Sequence, residues 1–242
     1  MKFAVQLYSI RDKIEDDDAL LAVLEKVKAL GYDGVEFAGY FGVEAEALRA
    51  RLDEVGLVAM GTHTNLDALR AENIEATLDF HEIIGCSDVG IGGAACGTPE
   101  DTAASCAVLK AANEAAAKRG MRVYYHNHSR EFEPFADGSL SIDSFLRACY
   151  LEVDTYWSHR AGVDNAPFLL KNQDKIIHLH IKDGVPEGSR VLGQGDCDIP
   201  AVVAAAKEMG LEWLCVENEG DPETADSLDE IGACLAYLKS IV

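Results

Sequence analysis

Short apolar runs alternate with stretches of helical periodicity eight times along the chain, and this alternation constrains the fold more than any other feature. The strand-like runs are residues 3–7, 35–37, 57–60, 89–91, 122–125, 151–153, 176–181 and 213–216. Helical spacing of leucine, valine and alanine fills 19–30, 43–55, 74–84, 98–118, 141–149, 166–171, 200–209 and 225–241. Asp18 and Thr98 stand where N-caps are needed, and Pro99 falls in the first turn of its helix. Gly31, Gly56, Gly85, Gly120 and Gly210 follow helices, where a left-handed cap suits glycine. Alternating strand–helix units imply parallel strands. Eight of them in 242 residues predict one (β/α)8 TIM-barrel domain spanning 1–242. An open doubly wound sheet is the competing fold. It usually carries a glycine-rich phosphate loop after its first strand, where this chain has Tyr8-Ser9-Ile10-Arg11.

The ends of the later runs carry chemistry rather than packing. The fifth leads into Tyr124-Tyr-His-Asn-His-Ser-Arg-Glu-Phe132, the sixth ends at Asp154, the seventh contains His178 and His180, and the eighth ends at Glu217. Four strands that each deliver an acid or imidazole at the C-terminal end suggest a metal site at the mouth of a parallel barrel. Composition agrees with a globular α/β domain, since 48% hydrophobic residues suffice for a core. The net charge of −21 repels a phosphate backbone and anionic membranes alike, so neither nucleic acid nor membrane is an expected partner. Strand-like sequence follows Met1 almost at once without a basic-then-apolar leader, and no apolar run reaches the ~18 residues of a membrane span. Seven cysteines without a Cys-x-x-Cys pair read as idle thiols of a reducing compartment, so a cytoplasmic location is expected.

Each candidate has a bland alternative. Asp154 either binds a metal or caps the turn after its strand. His178 and His180 lie two apart and share a strand face; His178 is expected to be a packed, hydrogen-bonded layer residue. Lys182 points the way His180 does and either stabilises a substrate oxyanion or faces solvent. Glu36, ending the second run, and His63, just past the third, are expected at the mouth, holding substrate hydroxyls or serving as polar layer residues. Gln6 and Tyr8 share a face and are candidates for the pocket floor, while Trp157 and Phe37 are apolar walls or core. His128 is a substrate contact or a turn residue, and Glu219 is expected in a loop. Gly193-Gln-Gly195-Asp-Cys-Asp198 lacks the lysine and hydroxyl of a phosphate loop.

Taken in order, Val5-Gln-Leu-Tyr-Ser-Ile-Arg-Asp12, Tyr125-His-Asn-His-Ser-Arg-Glu-Phe132, Val153-Asp-Thr-Tyr-Trp157 with Ala161-Gly162, His180-Ile-Lys-Asp-Gly184 and Val216-Glu217 resemble the sugar phosphate isomerase/epimerase family of the xylose-isomerase-like barrels. The resemblance covers essentially the whole chain. It implies one divalent metal ion (Mn2+, Mg2+, Zn2+ or Co2+) held by carboxylates and histidine from the fifth to eighth strands, with Asp154, His180 and Glu217 at matching positions. The fifth strand departs from the pattern, because many relatives carry a glutamate where His126 stands. Either His126 replaces that ligand or Glu131 folds back to the metal. Glu131 is the preferred ligand here, which leaves His126 and His128 to substrate or supporting roles.

The expected protein is therefore a metal-dependent isomerase or epimerase of a small sugar or keto-polyol. Glu131, Asp154, His180 and Glu217 hold the ion, Glu217 with Glu131 moves the proton, and Lys182 or His126 stabilises the oxyanion. Glu36, His63, His128 and Trp157 contact the substrate. The alternative is a metal-dependent dehydratase of a keto-polyol such as an inosose. A metal-dependent phosphodiesterase and a non-catalytic sugar-binding barrel rank below it. A small carbohydrate is the expected partner, and homo-oligomerisation is left open.

Overall fold

The structure, a computed structural model of the chain, describes residues 1–220 and 223–242. Eight parallel strands close into a barrel: β1 (Lys2–Gln6), β2 (Gly34–Ala38), β3 (Val58–Thr64), β4 (Asp88–Ile91), β5 (Arg122–His126), β6 (Tyr150–Asp154), β7 (Ile176–Ile181) and β10 (Trp213–Val216). A two-stranded antiparallel hairpin, β8 (Asp183–Val185) and β9 (Gly188–Arg190), follows β7. Helices α1 (Asp17–Leu30), α2 (Ala45–Val55), α3 (Ile74–Ile84), α4 (Pro99–Ala117), α5 (Ser141–Ala148), α6 (Thr155–Arg160), α7 (Asn165–Lys171), α8 (Ile199–Glu208) and α9 (Ser227–Ile241) lie between and after the strands. This is the (β/α)8 architecture that the alternation predicts.

The differences from the sequence reading have local causes. β3 runs on to Thr64 because β2 continues to pair with it up to Ala38↔His63, so His63 lies on the strand rather than beyond it. Tyr8 belongs to a 3-10 turn, Leu7–Lys13, and not to β1. The short helix α6 has no apolar period to betray it; it starts because Asp154 Oδ1 accepts from the N–H groups of Tyr156 (2.9 Å) and Trp157 (2.8 Å).

The two faces of the barrel sheet differ in kind. Outward residues such as Val5, Val35, Phe37, Val89, Val123, Leu151, Leu179 and Val216 are buried within the main apolar core that also takes in the helices. Inside, only Ala4, Met60 and Cys215, with Trp213 against them, form an apolar plug. Above it the interior is polar: Gln6, Glu36, Tyr124, Glu152, Asp154, His180 and Lys182 are all buried. His178 Nε2 pairs with Asp88 Oδ2 at 2.9 Å, and Arg122 grips the same carboxylate with two bonds of 2.7 Å, so His178 is the layer residue expected. Tyr124 reaches across the barrel because Gly90 and Gly61 leave room. A Cβ at Gly90 would lie 2.1 Å from the Tyr124 ring, and one at Gly61 would lie 2.6 Å from its hydroxyl.

Candidate active site at the barrel mouth

Strand register assembles the site. Asp154 pairs across to His180, His126 to Glu152, and Val216 to Ile181, which sets Glu217 beside Lys182 one residue further on. Ligand atoms of His126, Asp154, His180 and Glu217 lie within 4.8 Å of one another, and all four residues are buried. Asp154 caps the turn with one oxygen and leaves the other open. Its Oδ1 caps α6, while Oδ2 has no hydrogen-bond partner and faces His126 Nε2 at 3.5 Å and Lys182 Nζ at 3.8 Å. Both ring nitrogens of His126 and Nδ1 of His180 are likewise buried without a hydrogen bond, and His180 Nδ1 lies 3.3 Å from Glu217 Oε2. Unpaired buried polar atoms are costly, so their convergence from three strands marks a place built for something that pairs with them.

Glu131 is not part of this group, which corrects the expected ligand set. Its Oε1 accepts from the Tyr125 hydroxyl at 2.5 Å and its Oε2 from the His128 N–H at 2.9 Å, with Cys96 Sγ at 3.9 Å. Tyr125 points outward and stacks on Phe145 of α5, with ring centroids 3.8 Å apart, so a carboxylate bonded to it sits outside the barrel wall. Of the two fifth-strand candidates, the structure brings His126 to the cluster.

Beneath this group lies a second one, Glu36, His63, Glu152 and His180. Glu36 Oε2 accepts from Gln6 Nε2 at 2.7 Å and lies 2.5 Å from His180 Nε2, and the Tyr124 hydroxyl donates to Oε1. His63 Nε2 lies 2.7 Å from Glu152 Oε2. Of the two places expected for Glu36, mouth contact or polar layer residue, it takes the second: it is fully buried under His180, turned inward by alternation with the outward Val35 and Phe37. Its carboxylate opposes Nε2 of His180 and leaves Nδ1 facing the upper group, the arrangement that orients an imidazole ligand. Glu152 was missed, although alternation from Asp154 puts it on the same inward face two residues back.

Lys182 is buried rather than solvent-facing. Its Nζ donates to Glu217 Oε2 at 3.0 Å and to Glu219, and sits 5.1 Å from the Trp157 ring centre. Glu219, expected in a loop, follows β10 in irregular backbone yet joins the site through this ion pair. A cavity of about 980 Å³ opens above, and His63, His126, His128, Trp157, Glu217 and Glu219 contribute to its lining. Phe37 is wholly buried core, and Gln6 is part of the floor network beneath, whereas Tyr8 is 46% exposed and lines the cavity. The Gly193–Gly195 loop binds an internal anion: the N–H groups of both glycines donate to Asp183 Oδ2, at 2.9 and 3.0 Å.

The electrostatics divide the carboxylates. Burial pushes Glu217 up, but the charges of His180 and Lys182 outweigh it and hold the group well below the usual range. Burial also dominates at Asp154, raising it to about 6 despite Lys182. Of the adjacent floor carboxylates, Glu36 is held low because His63 and His180 outweigh its burial, and Glu152 is raised by burial and by Glu36. Burial, then the charges of His180 and His63, keep His126 well below its ordinary value. Burial opposes charge on His180, but the carboxylates of Glu152, Glu217 and Glu36 outweigh it and hold that ring well above its ordinary value, so an incoming ion would have to displace its proton. With His126 neutral, the donor set of two imidazole nitrogens and two carboxylates then suits a divalent ion such as manganese. No helix among the described residues is long and apolar enough to cross a membrane, and all seven cysteines are free thiols.

The sequence profile of the xylose isomerase-like TIM barrels matches residues 24–241, and the chain belongs to that family. Among solved structures it is similar to a sugar phosphate isomerase/epimerase from Parabacteroides distasonis ATCC 8503, with a TM-score of 0.82 and 23% identity over 99% of this chain and 98% of that one. It is similar to D-allulose 3-epimerase from Methylomonas sp. (TM-score 0.76, 18% identity, 100% and 98% of the two chains). It is also similar to the probable 3-DHS dehydratase of petrobactin synthesis from Bacillus anthracis (TM-score 0.77, 14% identity, 99% of each chain). No curated protein matches the chain.

Proposed function

We propose that this protein is a divalent-metal-dependent isomerase or epimerase of a small sugar or keto-polyol. The observation that carries the reading is the convergence of His126, Asp154, His180 and Glu217 with their unpaired donor atoms. His126 takes the place expected of Glu131. A divalent ion held there supplies a Lewis acid that polarises a substrate carbonyl and acidifies the neighbouring C–H. The protein supplies the rest. Glu217, paired with Lys182 at 3.0 Å, lines the cavity and is the base that takes the proton. Lys182, fixed by Glu217 and Glu219, steadies negative charge developing on the substrate oxygen. Glu36 and Glu152 hold the His180 ring from below. His63, His128 and Trp157 line the cavity and meet the substrate.

One observation favours a second reading within the same class of metal enzyme. With Glu131 withdrawn, the carboxylates that line the catalytic end are Glu217 and Glu219, both from the end of β10. Carboxylate bases on one side suit elimination of water from a keto-polyol, or isomerisation by relay, better than two-sided epimerisation. Similarity to a D-allulose epimerase and to a probable dehydratase supports both branches.

The test begins with elemental analysis after Mn2+ loading and dialysis, beside the Asp154→Ala, Glu217→Ala double variant. The expected result is about one ion per chain, lost in the double variant. Keto-sugars and polyols are then incubated in D2O and followed by NMR. Deuterium entering next to the carbonyl identifies the isomerase or epimerase branch, and an enone absorbance the dehydratase. A folded protein that takes up no ion rules the mechanism out.

A further inference from the structure

The cavity is longer than the catalytic end requires. At about 980 Å³ it stands at the top of the ~300–1,000 Å³ range that holds drug-sized ligands. From His126 and Glu217 it extends over the β2–α2 and β3–α3 loops to α3, where Tyr40, Ala68, Ala76 and Phe80 line it. Tyr40 and Phe80 pack ring against ring, with centroids 4.4 Å apart. The neighbouring Phe41 is 46% exposed and held at φ +52°, a left-handed conformation unfavourable for an aromatic residue.

Part of the polar lining of this arm is already engaged. Asn65 Oδ1 accepts from the Ala68 N–H at 2.9 Å, and Asn73 Nδ2 donates to the Asp67 carbonyl at 2.9 Å. Thr77 donates to the Ala68 carbonyl at 2.8 Å, and Tyr40 meets His81 Nε2 at 2.8 Å. What the arm offers a ligand, besides the exposed Asn65, Asp67 and Asn73, is methyl groups and ring faces. The catalytic end is the reverse, with unpaired atoms on His126, Asp154 and His180. Charge narrows the ligand further. Among the described residues no lysine or arginine lines the cavity, while Asp67, Glu217 and Glu219 do. Away from the catalytic end, a phosphate in the arm would meet Asp67 and no cation.

We propose that the substrate is an uncharged glycoside whose sugar ring carries a ketone, the carbonyl over the catalytic end and an aromatic aglycone in the arm lined by Tyr40, Phe80, Ala68 and Ala76. This deepens the sugar-directed reading above and rests on it. The aglycone is preferred to a second sugar because the paired rings of Tyr40 and Phe80 and the methyl groups of Ala68 and Ala76 give an aromatic ring stacking and apolar burial that hydroxyls cannot use. The test uses Mn2+-loaded protein and matched pairs: glucose, galactose and mannose, each beside its phenyl glycoside, with cellobiose and glucose 6-phosphate for comparison. Binding is followed by calorimetry and saturation-transfer NMR. The expected result is at least tenfold tighter binding of one phenyl glycoside than of its parent hexose. Ala76→Trp, at an exposed position of α3, and Phe80→Ala should each bring that ratio towards one. Equal affinity within every pair, or a preference for cellobiose or for the phosphate, overturns the aglycone arm and leaves the metal-dependent sugar chemistry standing. Binding of no sugar by protein that retains its ion overturns both.

Discussion

Replacing Glu131 by alanine separates the two readings of the fifth strand. If Glu131 is a metal ligand, its loss removes the ion. If it is the keystone of the β5–α5 loop, its loss costs stability and spares the ion. The structure gives it two buried charge-assisted hydrogen bonds, from the Tyr125 hydroxyl at 2.5 Å and the His128 N–H at 2.9 Å. Hydrogen bonds to charged groups contribute about 1.5–3 kcal/mol each. The variant also escapes the cost of burying a carboxylate, so the net loss is roughly 2–4 kcal/mol. For a chain of this size that lowers Tm by on the order of 10 °C. Glu131→Gln should fall between, because one amide group presents only one oxygen to two donors. The assay pairs urea unfolding of metal-free protein with elemental analysis of Mn2+-loaded protein, with Asp154→Ala alongside. The expected result is a lower midpoint with about one ion per chain for Glu131→Ala, and loss of the ion for Asp154→Ala. A Glu131→Ala protein that keeps its midpoint but loses its metal would refute the reasoning and restore Glu131 as a ligand.

Other outcomes follow from the same packing. Lys182→Met leaves Glu217 and Asp154 buried without their cation, a change that costs about 3–5 kcal/mol in metal-free protein. Mn2+ should recover part of that, and an equal penalty with and without Mn2+ would defeat the charge argument. Gly90→Ala drives a methyl group into the Tyr124 ring and should cost roughly 1–3 kcal/mol or more. Combining it with Tyr124→Leu should cost less than the sum of the two, and strict additivity in a double-mutant cycle would count against the contact. Burial lowers His81 from 6.5 to about 4, so between those values the unfolded chain binds the proton and the folded chain does not. Stability from this group is therefore present above pH 6.5 and lost as pH falls towards 4, a change of roughly 3 kcal/mol. The stability gap between parent and His81→Gln should narrow by that amount over the window, and a gap that does not change with pH would contradict it.

The barrel was legible in the chain because its signals are local. Apolar runs of strand length, helical periods and glycines such as Gly56 and Gly85, both left-handed in the structure, depend on residues a few positions apart. The strand ends bearing Asp154, His180 and Glu217 were legible for the same reason: alternation along one strand fixes which side chains share a face. α6 escaped because Asp154 starts it through two N–H groups rather than through an apolar pattern.

What only the tertiary structure decided concerns partners far apart in sequence. Nothing near Glu131 says that its carboxylate turns outward to Tyr125 while His126 turns inward; that depends on Phe145 stacking outside the wall and on Asp154 arriving from β6. Glu36 reads equally as a mouth contact or a layer residue until closure of the barrel places it beneath His180, 144 residues away. Lys182 reads equally as a site residue or a surface lysine until Glu217 and Glu219 pair with its buried charge. The apolar arm is likewise invisible in one dimension, since Tyr40 and Phe80 come from separate loop and helix segments. The sequence by itself determined the period of the chain, and hence the barrel and the faces of its strands. Closure of the barrel determined which charges meet inside it, because only there does the loss of water make each carboxylate, imidazole and ammonium depend on its neighbours.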